Sequence, residues 1–309
     1  MAEVHDLVKR LGRDGARAIV PTDQKKAVDI AANVMGDEDG AAAFSYAGFA
    51  YTFFPYKRVA GDGTYTRDCS IVSMAIDPGS LKIDGKWRTF GPPYGALCRL
   101  VMIMLQSEAI RNNSPKIELG RNVNDFMTNR LGIEYGGKTV KILQDQIYRL
   151  AACTLKFAWN IDGKEHFESK QIIKSGFFLG KRDERQALLW DDTVVLDDAL
   201  YRHLREHSVL LSDEAVRQLK DEPVALDAYV WLCFRLHHLE RPVHISWQGL
   251  WHQFGQEYAE VRFFRRRFLK CLTNALAAYP EARVTVDETA NGGITLHPSP
   301  PAVRRFQKA

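Results

Sequence analysis

Twice along this chain the same elements follow one another, and that repetition restricts the fold more than any single motif does. The first series starts with a helix in "YGALCRLVMIMLQSEAI" (94–110) and a short strand in "KIEL" (116–119). Helices in "NVNDFMTNRLG" (122–132) and "GKTVKILQDQIYRLAAC" (137–153) follow, then a hairpin over 154–176. The second series runs from "ALDAYVWLCFRLHHL" (225–239) through "VHI" (243–245), "SWQGLWHQFG" (246–255) and "VRFFRRRFLKCLTNALAAY" (261–279) to a hairpin over 282–298. Helix, short strand, helix, helix and two-stranded wing is the order of a winged helix, a helix-turn-helix relative whose last helix can lie in a DNA major groove. The repeat is one of pattern, not of identity.

Between Phe44 and Ile83, aromatic and β-branched runs are punctuated by Pro55, Gly61, Gly63 and "DPG", which reads as strands joined by turns. The expected fold is therefore α+β, with two tandem winged-helix domains, the first preceded by a strand-rich N-terminal segment. The expected division is a loosely attached leader, flexible or helical, over 1–40, then 41–192, 193–303 and a basic tail at 304–309.

Residues 132–139, "GIEYGGKT", satisfy G-x-x-x-x-G-K-[ST], the pattern of a phosphate-binding loop. That loop works only after a strand, because the strand edge and the next helix's N-terminus aim backbone N–H groups at the phosphates. Here Asn122 reads as an N-cap, with Asp125 three residues on and Val123, Phe126, Met127 and Leu131 at helical spacing. Val140, Leu143, Ile147 and Leu150 mark one face of the helix that follows. The local pattern is helix, glycine turn, helix, and an NTPase at Gly132–Thr139 stands only as an alternative.

Charge locates the stronger signal. Residues 256–309 hold nine Lys/Arg and five Asp/Glu, and the rest of the chain holds 33 of each sign, so the whole net charge of +4 belongs to the C-terminal end. Within it Val261, Phe264, Phe268, Leu272 and Ala275 make an apolar stripe. Arg262, Arg266 and Lys270 step along the opposite side, with Arg265 and Arg267 flanking. Val261 to Leu272 carries five cations and no anion, whereas a merely solvated face usually interleaves Glu with Arg. Like charges at i, i+4 repel by a few tenths of a kcal/mol per pair, which a polyanion beside the helix relieves. Arginine also offers the bidentate fork that reads guanine O6 and N7.

The corresponding helix of the first series carries Lys138, Lys141, Gln144, Asp145, Tyr148 and Arg149 opposite its apolar stripe. That mixed polar face suits bases or phosphates, ordinary surface, or a dimer contact. Asn291, Gly292 and Gly293 read as a hairpin turn suited to close approach to a nucleic-acid backbone, and Arg304, Arg305 and Lys308 as further phosphate contacts.

Other chemistries find little to build on. "HLREH" (203–207) matches H-x-x-E-H, but a third zinc ligand is not evident, and the surrounding segment reads as a plain amphipathic helix. Five cysteines without a C-x-x-C pair fit a reducing cytoplasm, and the N-terminus has neither an export signal nor a membrane span. No catalytic residue, metal or cofactor is expected.

Several spaced anchors carry a family resemblance over about residues 90–303. They are Pro93-Tyr94-Gly95, Asp227-x-Tyr229-x-Trp231-Leu232, Arg241-Pro242, Gln253-Phe254-Gly255, Tyr279-Pro280 and Pro298-Ser299-Pro300-Pro301. In these the chain resembles the plasmid-encoded RepA replication initiators. The resemblance implies a cytoplasmic, non-enzymatic protein that binds repeated double-stranded sites in a plasmid origin and recruits host replication proteins. A winged-helix transcription regulator uses the same readout and remains the alternative. A monomer–dimer equilibrium is expected, because repeated sites commonly mirror protein symmetry.

Overall fold

The computed structural model describes residues 2–38, 40–69, 72–161, 164–176 and 193–303. They form two compact units, one of residues 44–208 and one of 1–43 with 209–309. No helix among them is long and apolar enough to cross a membrane.

The chain opens with α1 (Ala2–Ile19) and α2 (Lys25–Met35), then β1 (Ala42–Tyr46) and the single turn α3 (Gly48–Tyr51). The leader, expected to be flexible or helical and loosely attached, is helical and fastened. Ala27, Val28, Ile30 and Ala31 of α2 are buried, Lys26 Nζ lies 2.5 Å from Glu222, and His5 Nε2 of α1 reaches Ala277 O at 3.0 Å. The apolar face of α2 has little local signal, since beyond α1 it packs on residues 213–218 and 261–277, far along the chain.

In the 44–208 unit, β2 (Tyr65–Asp68), β3 (Val72–Asp77), β4 (Gly79–Ile83) and β5 (Lys86–Phe90) precede α4 (Gly95–Arg111), β6 (Lys116–Glu118) and α5 (Val123–Asp125). Asn122 does cap α5, its side chain accepting from Asp125 N at 2.9 Å, and the helix continues as a π-turn over Phe126–Arg130. Then come α6 (Gly137–Ala152), β7 (Thr154–Ile161), β8 (Lys164–Gln171), β9 (Ile173–Gly176), β10 (Thr193–Leu196) and α7 (Asp198–Glu206). The β7–β8 hairpin is present, but it extends β2–β3 into a four-stranded sheet, while β6 pairs with β10 and β10 with β9. The short strand of the first series therefore closes on a strand beyond the hairpin.

The chain then runs through β11 (Ser208–Ser212), α8 (Asp213–Gln218), α9 (Pro223–Leu236), β12 (Val243–Ser246), α10 (Trp247–Phe254), α11 (Val261–Ala277), β13 (Val284–Asp287) and β14 (Gly293–Leu296). Here the short strand does join the hairpin, in the antiparallel order β12-β14-β13. The core is aromatic. Trp231 meets Phe254 edge-on at 5.4 Å, Phe254 meets Phe268 at 4.9 Å, and Phe268 stacks on Phe264 at 5.0 Å.

Candidate nucleic-acid interface

The angle at which α11 leaves α10 is fixed by the turn between them. Gly255 N donates to Trp251 O at 2.7 Å, Tyr258 N to Gly255 O at 2.8 Å, and Trp251 Nε1 to Tyr258 O at 3.0 Å. A Cβ on Gly255 would lie 2.6 Å from the Phe264 ring, so only glycine allows this approach. Phe264, Phe268, Leu272 and Ala275 are buried as the apolar stripe predicts, which turns the other side of α11 to solvent.

On that side Arg266, Arg267 and Lys270 are exposed, and Arg265 is half-buried on the flank. Arg262 is exposed but committed. Its Nε sits 2.7 Å from Glu260 Oε2, its Nη2 3.2 Å from Oε1, and its guanidinium lies 4.7 Å from the Phe263 ring centroid. The anion that answers this first cation, Glu260, stands just ahead of the helix, outside the window that shows none. Phe263 itself is 54 % exposed. Its position off the 261, 264, 268, 272 stripe was the available signal for this, since the same periodicity that buries Phe264 turns Phe263 outward.

In the 44–208 unit α6 begins at Gly137, after a turn entered from a π-helix and not from a strand, with Gly132 at a φ of 61°. Lys138 and Lys141 are exposed, and Gln144 is half-buried, its Nε2 donating to Tyr148 Oη at 2.8 Å. Tyr148 and Arg149, expected on the outward face, are buried. The Tyr148 ring lies 5.4 Å from Phe90, and Arg149 donates to Asp145 at 2.8 Å and Asp62 at 3.1 Å with its guanidinium over Tyr94. Tyr148 faces inward because the β4–β5 hairpin packs on α6, and Arg149 because the segments carrying Asp62 and Tyr94 meet the helix, contacts with no local signal in the helix itself.

That hairpin adds a basic cluster that no motif in the sequence marks. Asp84 and Gly85 both take positive φ, 50° and 76°, as a two-residue Asp-Gly turn requires. Opposite residues Lys82 and Trp87, together with Lys86 and Arg88, are exposed around its tip. A basic residue type recurring beside a turn signal was the clue.

The glycines of the C-terminal hairpin serve a different purpose from the one expected. Gly292 and Gly293 are buried, Trp247 N donates to Gly292 O at 3.1 Å, and a Cβ on Gly293 would lie 2.1 Å from Ile245 O. They let β14 close on β12, and Asn291 alone of the three is exposed. Arg304, Arg305 and Lys308 lie outside the described residues.

At the H-x-x-E-H segment, Lys170 Nζ donates to His203 Nδ1 at 2.8 Å and to Glu168 at 2.9 Å, so the ring nitrogen is already engaged. Burial, and then the Lys170 charge, hold the His203 pKa below its ordinary value.

The sequence profile of the family described as plasmid encoded RepA protein matches residues 92–249. No curated protein matches. Among solved structures, selenomethionine derivatives of domain 2 and domain 3 of RctB align with a TM-score of 0.52 at 10 % identity, covering 84 % of this chain and 99 % of that one. A second structure of RctB domains 2–3 aligns with a TM-score of 0.45 at 9 % identity, covering 81 % and 95 %. The first alignment is a likeness of fold.

Proposed function

The chain belongs to the family of plasmid-encoded RepA proteins, and from that premise we propose that it is a plasmid replication initiator that binds repeated double-stranded sites in the plasmid origin. The observation that carries the reading is the outward face of α11, where Arg266, Arg267 and Lys270 stand exposed on a helix whose other side is locked by Phe264 and Phe268. A rigid helix with one cationic face is what major-groove readout needs. Residues 225–298 act as the second winged helix and the principal reader. The first series is a winged helix with an altered sheet, whose Lys138 and Lys141 with the β4–β5 cations supply phosphate contacts that set affinity without reading sequence. Asn291 and the basic tail add flanking contacts.

The protein works in the cytoplasm, without enzymatic activity of its own, and nucleates assembly of host replication proteins on the origin. It exchanges between monomer and dimer, a step that sedimentation over a wide concentration range tests. Functionally, a plasmid carrying only its origin is supplied with the protein in trans. Replication that stops when Arg266 and Lys270 are replaced by Ala, in a folded protein, is the expected result. Origin binding without replication by the intact chain would point to a regulator, and saturable ATP binding lost in Lys138→Ala to the NTPase.

A further inference from the structure

Phe263 is out of place on a solvated surface. It belongs to the first turn of α11, is 54 % exposed, and shares the outward side with Arg266, Arg267 and Lys270 at i+3, i+4 and i+7. Its ring is also held, because Glu260 fixes the Arg262 guanidinium at 2.7 Å and that guanidinium lies 4.7 Å from the ring centroid. An aromatic side chain with a supported orientation, in the helix turn that meets base edges and amid cations that meet phosphates, has one apolar group in the major groove to contact, the thymine 5-methyl. A protein partner would use an aromatic ring and arginines as well, but Val261 to Leu272 carries five cations and no anion, a charge that a polyanion answers better.

We propose that Phe263 is a specificity-determining residue that packs on a thymine methyl in the bound duplex, next to the base pair approached by Arg266. The proposal rests on the reading of α11 as the DNA-reading helix, and the two can fail separately. The probe is a duplex selected by the intact chain from a random library, then resynthesised with each thymine replaced in turn by uracil, which lacks only the methyl. Affinity is measured at fixed salt for the intact chain, Phe263→Ala and Phe263→Leu. At one position the intact chain should lose about four-fold, the worth of one buried methyl-sized group. Phe263→Ala should bind thymine and uracil alike there, and Phe263→Leu should keep the preference. Because the ring is largely exposed, both variants should melt with the intact chain.

Equal binding of every uracil duplex by the intact chain, a selected site without thymine, or a thymine preference that survives in Phe263→Ala would each overturn the assignment while leaving α11 as reader. Failure to select any duplex, or selected binding indifferent to Arg266→Ala and Lys270→Ala together, would remove the reader itself and the assignment with it.

Discussion

Arg149 of α6 donates to Asp62, a residue 87 positions earlier, at 3.1 Å. The Arg149 side chain is 4 % exposed and also bonds Asp145 at 2.8 Å, so it clamps α6 to the loop ahead of β2. Both carboxylates remain when Arg149 is replaced by Ala, and Asp145 and Asp62 then lose their shared cation. Asp62 keeps Arg58 and both carboxylates are part-exposed, so urea unfolding should show a loss on the order of 1–2 kcal/mol, from the lost packing and hydrogen bonds of the buried side chain. Lys138→Ala and Lys141→Ala, both on the exposed side of the same helix, should stay within about 0.5 kcal/mol. If Arg149→Ala were as stable as the intact chain yet weakened DNA binding, the residue would be a contact and not a clamp.

On α11 the same comparison runs the other way. Arg266→Ala should leave stability unchanged and, if the guanidinium reads a guanine, cost about 1–3 kcal/mol on the selected site while relaxing preference at one base pair. If it touches only phosphate, the loss should be equal on all sequences and the salt slope should fall by about one. Phe268→Ala serves as the opposite control. It removes a ring packed between Phe254 and Phe264 and should cost about 3–5 kcal/mol in unfolding.

Why one helix was legible and the other half-legible follows from what covers each. The outer side of α11 is left to solvent, so the 3.6-residue period alone separates Phe264 from Arg266. On α6 a hairpin from residues 79–90 covers part of the polar face, and no spacing inside the helix announces a strand pair nearly fifty residues earlier. The two glycines at 292–293 teach a related lesson. Turn chemistry predicts that glycine is needed, but only the pairing of Gly293 with Ser246 tells which backbone comes close. The family anchors mark neither surface. Tyr229 accepts from Ser212 N at 3.0 Å, Tyr279 donates to Pro300 O at 2.6 Å, and Trp231 is buried, so these three anchors hold the core and not the exposed side of α11.

The β4–β5 cations give a prediction about affinity without specificity. Lys82→Ala combined with Lys86→Ala should weaken binding to every duplex by a similar factor and reduce the magnitude of the salt slope by up to about two. Neither lysine supports the hairpin, whose Asp84-Gly85 turn and Ser80–Thr89 hydroxyl bond at 3.0 Å remain, so thermal stability should not move. A loss confined to one sequence would mean that the hairpin reads bases.

The fastening of α1 should make stability depend on pH in a defined direction. His5 is buried and its Nε2 donates to Ala277 O, as the neutral ring can with its proton on Nε2. Burial pushes its pKa below the ordinary 6.5, more than the Ala277 bond raises it. Lys9 opposes the cation as well, and the nearby carboxylates of Glu281 and Asp6 only partly offset this. In the unfolded chain the ring titrates near 6.5, so the unfolded state binds the extra proton first. Stability from this residue is therefore complete above about pH 6.5 and declines as the pH falls towards the lowered folded value. His203 and His237 are shifted the same way, burial leading in each, so the slope of the intact protein alone does not isolate His5. His5→Gln keeps a side-chain donor for Ala277 O and removes the titration. Melting temperatures of the two proteins should converge as the pH is lowered from about 7.5 to about 5, with the intact chain losing more. Parallel curves across that range would mean that His5 is no more buried when folded than when unfolded, and that α1 does not dock on the end of α11.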